Sequence, residues 1–142
     1  KYPVGARLNY YLSDTFILRS YARYYVDSWG IQGVTAEIEL PISLGLNWAV
    51  FPSFRHYSQT AANYFYPKEM ALSTDQYYTS DYDLSAFNSQ QWGVGIRYKD
   101  ILGQYALWKI GLKSVELRYI HYNRSNGLSF DQTALSLNFD ID

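Results

Sequence analysis

The chain has 142 residues, 48% of them hydrophobic and 19% aromatic, with 16 tyrosines and a net charge of −1. That length suits one domain, and the near-neutral balance argues against a nucleic-acid or general acidic-surface partner. There is no cysteine, so disulfide and thiolate chemistry are excluded, and no stretch approaches the roughly 20 apolar residues of a membrane-spanning helix.

A two-residue alternation begins at once. Val4, Ala6, Leu8, Tyr10 and Leu12 share one phase, and Gly5, Arg7, Asn9 and Tyr11 share the other. Successive strand residues point to opposite faces, so this is a strand with one apolar and one polar side. Ser13-Asp14-Thr15 is a short polar turn; folding about Asp14 sets Leu12 opposite Phe16, Tyr10 opposite Leu18 and Asn9 opposite Arg19. The pattern returns at residues 16–27. The stretch 28–33 is a second turn, and a pivot at Gly30 sets Val26 opposite Val34, Ala22 opposite Ile38 and Arg23 opposite Glu37. Further strands are expected at 34–42 and 44–57.

Residues 58–91 form a long polar and aromatic insert, of the kind that is functional or mobile. Strands resume at 92–99, where Gly93-Val94-Gly95 reads as a face left open for close approach. Residues 100–113 carry Ile101, Leu102, Tyr105, Leu107, Trp108 and Ile110, which suit either a helical turn or an extension of the flanking strands. The last strands are expected at 115–122 and 133–141, joined by Ser125-Asn126-Gly127, which places Leu117 opposite Leu135.

The placement of charge gives the alternation its meaning. Every arginine is in phase with a polar face, while Lys1, Lys68, Lys99, Lys109 and Lys113 keep to ends and connections. Tyr10, Phe16, Tyr24, Trp48, Phe54, Trp92, Tyr98, Tyr119 and Phe139 share the apolar phase and suit an interface girdle. The expected fold is all-β: one domain over 1–142, an antiparallel up-and-down meander of about seven strands, part of a transmembrane outer-membrane β-barrel. Placing the 58–91 loop outside the cell puts the Gly30 and Asn126 loops there too, and the turns at 13–15 and at Ser43 in the periplasm. About seven strands is fewer than the eight of the smallest bacterial barrels, so the chain is expected to be a segment of something longer.

The polar phase collects the candidate lumen lining: Arg19, Arg23, Glu37, Glu39, Arg55, Arg97, Glu116 and Arg118. Such a lattice suits a selective pore or anion pathway. A structural plug of ion pairs is the preferred reading, because opposite charges face each other across strands. The paired carboxylates Glu37 and Glu39 invite acid–base work, but arginine neighbours would hold both ionised. His56 and His121 fall in the apolar phase; with Ser58 or Ser125 they give a weak hydrolase signal. Asp75, Asp81 and Asp83 could offer calcium oxygen ligands, though without EF-hand spacing, and no His/Cys metal spacing exists. Tyr64, Phe65, Tyr77, Tyr78, Asp81 and Asp83 are the candidate loop contacts.

Four runs carry a resemblance: Arg23-Tyr24-Tyr25-Val26-Asp27-Ser28-Trp29-Gly30, Arg55 to Tyr66, Tyr77 to Ser85, and Leu117 to Leu128. Together they resemble the DUF3570 family of Gram-negative outer-membrane proteins, over most of the chain from Arg23 onward. The resemblance implies an outer-membrane β-barrel with no established activity, and a chain similar to the C-terminal part of longer members. The expected function is that of a non-enzymatic structural or transport subunit (pore or scaffold) in the bacterial outer membrane. Its partners would be outer-membrane lipid and a protein of a multi-subunit membrane complex, with no cofactor. The competing readings are a soluble small-ligand-binding β-barrel with its aromatic face inward and, behind it, an outer-membrane enzyme.

Overall fold

β-branched and aromatic residues at alternate positions favour extended backbone, and most of the chain adopts it. A computed structural model describes residues 1–70, 77–101, 103, 105–107 and 110–141. The strands are β1 (Tyr2–Tyr11), β2 (Ile17–Val26), β3 (Gln32–Glu39), β4 (Ile42–Leu44), β5 (Trp48–Gln59), β6 (Phe87–Lys99), β7 (Ala106–Leu107), β8 (Ile110–Arg124) and β9 (Ser129–Ile141). The long ones neighbour in the order β1-β2-β3-β5-β6-β8-β9, all antiparallel, with β4 on β5 and β7 on β8. This is the up-and-down meander that the alternation predicts.

The first and third hairpins have the expected register: Asn9 faces Arg19, Tyr10 faces Leu18, and Leu117 faces Leu135. The second does not. Val26 faces Gln32, Ala22 faces Ala36, Arg23 faces Thr35, and Glu37 faces Tyr21. Asp27 tightens this turn. Its N–H donates to the Ile31 carbonyl at 3.1 Å, and its carboxylate accepts the N–H groups of Trp29 at 2.9 Å and Ile31 at 3.2 Å. The resulting slip of two residues leaves every side chain on its own face, so hydrophobic matching does not distinguish the two registers.

Other boundaries also move. β3 stops at Glu39 ahead of Pro41, and a turn at Gly45 (φ 73°) separates β4 from β5. β6 begins at Phe87 and not at Trp92, because Phe87–Gln91 pair with Arg55–Gln59, so the connection from β5 is shorter than expected. Ser89 and Gln91 line one face there and Asn88 and Gln90 the other, so the segment lacks the apolar phase that marks a strand. At 100–113 the strands extend: β7 pairs with the start of β8, and no helical turn forms among the described residues. Leu102, Trp108 and Lys109 lie outside the described residues.

The two faces differ in what covers them. One carries Val4, Leu8, Ile38, Val94, Ile96, Leu117, Leu135 and Leu137, all exposed; Leu117 is 48% accessible and Leu135 63%. The opposite face carries the arginines and glutamates, and there Thr35 is 1% and Phe51 4% accessible. Glycines on this inner face admit large neighbours. A Cβ on Gly33 would stand 2.9 Å from the Tyr57 hydroxyl, and one on Gly93 2.5 Å from Ser53 Oγ. Arg118 on β8 reaches Glu39 on β3 at 3.2 Å across the two intervening strands β5 and β6. In a flat sheet those backbones lie about 14 Å apart, so the sheet curls toward its polar side and the two side chains lean across it.

Candidate functional site: the polar inner face

Inner-face residues stand in rows across the sheet, set by register. Nearest the short turns, β6 and β8 bring Arg97 opposite Glu116, and Gly95 opposite Arg118. Arg97 Nε donates to Glu116 at 2.7 Å, Arg118 Nε donates to Glu116 at 2.9 Å, and Arg118 also meets Glu39. Arg19, directly across from Glu39 in register, donates to it at 2.9 Å. The result is one continuous chain, Arg19–Glu39–Arg118–Glu116–Arg97, linking β2, β3, β8 and β6. Phe51 lies beneath it, its ring centroid 4.7 Å from the Arg97 guanidinium and 5.7 Å from that of Arg118. Each carboxylate is held by two arginines.

Closer to the long loop the lattice changes. Arg23, Glu37 and Arg55 occupy the same face, and Glu37 faces Arg55 in register, yet none of the three makes an ion pair among the described residues. The expected Arg23–Glu37 pairing fails because the tighter Asp27 turn places Thr35 across from Arg23. Glu37 and Glu39 instead flank a groove of about 340 Å³ shared with Arg7, Asn9 and Arg19. A second cavity of about 210 Å³ lies between Arg23, Arg55, Ser89 and Gln91, walled by Tyr57 and Tyr122.

The loop closes over this end. Arg124, on the same face as the candidate lining residues, is 6% accessible; its guanidinium sits 3.6 Å above the Phe87 ring and pairs with Asp83 at 2.5 Å. It also donates to the Tyr82 carbonyl. Gln59 Nε2 donates to the carbonyls of Asp83 and Ser85, both at 2.8 Å. Asp81 caps the short 3-10 turn Tyr82–Leu84 by accepting the Asp83 N–H. Tyr64 meets Tyr77 edge-on at 5.9 Å, and Phe65 meets Tyr82 at 5.8 Å, while Tyr78 is exposed. Asp81 and Asp83 are thus engaged within the protein, Asp75 lies outside the described residues, and among the described residues no three acidic or histidine side chains gather as a metal site. In the Asp27 turn, burial by itself would raise the carboxyl. Hydrogen bonds from the Tyr25 hydroxyl and from the Trp29 and Ile31 N–H groups outweigh it and hold the group below its ordinary value.

The apolar-phase residues take the outer face. Tyr10, Phe16, Trp48, Tyr98 and Phe139 lie toward the short-turn end and Tyr24 toward the loop end. Phe54, Trp92 and Tyr119 lie nearer mid-strand, with Phe54 and Trp92 packed at 4.3 Å. His56 and His121 share that face; His121 Nδ1 and the Tyr119 hydroxyl both bond Asp131. No hydrogen bond joins either histidine to a serine among the described residues. Sequence reasoning passed over Phe51, Thr35, Tyr57 and Arg124. Their inner phase was visible, but their burial depends on the curl of the sheet and the fold of the loop.

Neither the comparison with curated proteins nor that with solved structures finds a match. The family model described as "Protein of unknown function (DUF3570)" matches residues 2–125, from the start of β1 to the β8–β9 turn, and the chain belongs to that family.

Proposed function

We propose that this chain forms part of the wall of a bacterial outer-membrane β-barrel, turning its apolar face to lipid and its arginine-rich face to a polar lumen. Its role is structural or transport-related and not catalytic. The sidedness of the sheet carries this reading: large apolar side chains lie bare on the outer, convex side while ion pairs fill the concave side. A soluble ligand-binding barrel needs the opposite arrangement, with the rings inside. β5, β6, β8 and β9 have 12, 13, 15 and 13 residues, long enough to cross a bilayer at a tilt. Lipid does not tolerate unpaired main-chain edges, so the reading requires partner strands along β1 and β9, each of which has a single neighbour among the described residues. The five-residue ion chain braces one end of the lumen, which favours a scaffold over a wide conduit.

Cell fractionation tests the location. The protein should sediment with the outer membrane and need detergent to stay in solution. A sample that is monodisperse without detergent ends the proposal. Leu117→Arg, on the outer face between Ile96 and Leu135, should cost about 2–4 kcal/mol in lipid. Current across a planar bilayer separates conduit from scaffold.

A further inference from the structure

Three buried donors on the inner face meet no acceptor among the described residues: Arg23 Nε, Thr35 Oγ1 and Arg124 Nε. All three belong to one row. Register places Arg23 opposite Thr35, Thr35 opposite Tyr57, Tyr57 opposite Ser89, and Ser89 opposite Arg124. Buried polar groups in folded proteins are nearly always satisfied, so each orphan donor calls for an acceptor that the neighbouring side chains do not supply. Of this row, Arg23, Tyr57 and Ser89 line the 210 Å³ cavity, joined there by Arg55 and Gln91, whereas Thr35 and Arg124 do not reach it.

The neighbouring groups do not supply that acceptor. Glu39 and Glu116 are shared among Arg19, Arg97 and Arg118 at the far end. Asp83 is held by the Nη1 of Arg124, and Glu37 flanks the separate groove beside Arg7 and Arg19. The Tyr57 hydroxyl donates to Gln59 at 2.8 Å. What remains around the cavity is an excess of positive charge with hydroxyl and amide groups, walled by aromatic rings. Guanidinium forks bind carboxylate and phosphate oxygens through paired, charge-assisted hydrogen bonds.

We propose that Arg23 and Arg55, supported by Ser89 and Gln91, form a binding subsite for a small oxyanion, either a carboxylate or a phosphate. The proposal deepens the barrel reading and rests on it, since the anion reaches the site through the water-filled side of the wall. Titration calorimetry on the full-length protein in neutral detergent, at fixed ionic strength, tests it with inorganic phosphate in one arm and acetate in the other. Saturable heat with either anion supports the subsite, and the arm that saturates identifies the source. The double substitution R23Q/R55Q should weaken binding at least about tenfold, or 1.4 kcal/mol; R23K/R55K should retain part of it, and Lys99→Gln at the far end of β6 should leave it unchanged. The far-ultraviolet β spectrum of each variant verifies folding. Absence of saturable binding in both arms, or equal binding by R23Q/R55Q, overturns the subsite. The two proposals fail separately: outer-membrane sedimentation without anion binding leaves the barrel and removes the subsite, whereas anion binding by a detergent-independent protein does the reverse.

Discussion

The two ends of the inner face use the same side chain in opposite ways. Toward the short turns, Arg19, Arg97 and Arg118 share two carboxylates, and Arg97 and Arg118 lie over Phe51, so each of these guanidinium groups has a carboxylate partner. Toward the long loop, Arg23 and Arg55 line a cavity of hydroxyls, amides and rings; Arg55 makes no ion pair among the described residues although Glu37 stands opposite it in register, and a buried Nε of Arg23 finds no acceptor. The first arrangement links four strands across a curled sheet. The second leaves positive charge directed at a cavity. Arginine on a polar strand face is therefore not a role in itself. The role depends on whether the guanidinium engages a carboxylate, and register alone does not decide that, since Glu37 stands opposite Arg55 without pairing with it.

If the matched end is structural, Glu116→Gln should be the most damaging change on this face. It removes the one carboxylate partner that Arg97 has among the described residues and one of the two that Arg118 has, and with those side chains half-buried the expected loss is about 2 kcal/mol, below the 3–5 of a fully buried pair. Urea unfolding in lipid vesicles measures it; a loss under half that size would mean that the chain of ion pairs holds little together. Arg124→Gln comes next. It removes the tie between β8 and the loop, and should cost about 1–2 kcal/mol while opening the 77–84 segment to limited proteolysis. Unchanged cleavage would show that Gln59 alone fixes the loop.

A smaller effect is expected at the Asp27 turn, which sets the register that separates Arg23 from Glu37. The folded-state pKa of Asp27 is lowered, so its stabilisation is present above the unfolded-state value and is lost as pH falls through the folded one. Asp27→Asn should flatten the acid limb of stability, and identical limbs in both proteins would contradict this. The least effect on stability is expected from Arg23→Gln or Arg55→Gln, each within about 0.5 kcal/mol of the parent. A loss as large as that of Glu116→Gln would mean that the loop end is braced like the other, and the contrast between the two ends would disappear.

The alternation in the chain exposed the strands, the meander and the face to which each arginine belongs, because side-chain direction in a strand is a matter of parity. Gly127 after Asn126, and Asp14 between Ser13 and Thr15, located two turns correctly for the same local reason. At the second hairpin the pairing differs from the expected register by two residues, and a slip of two preserves parity; the hydrogen bonds to the Asp27 carboxylate select the tighter closure. Phe87–Gln91 were read as loop because polar residues occupy both faces there, and only their pairing with β5 makes them a strand.

What the sequence alone determined is the sorting of side chains into an apolar and a polar face, since that requires nothing beyond the two-residue repeat. What only the tertiary structure decided is which charges meet. Arg118 finds Glu39 from 79 residues away, Arg124 disappears beneath a loop, and Arg23 is left without a carboxylate. Those outcomes depend on curvature, register and loop closure, and a repeat of two fixes none of them.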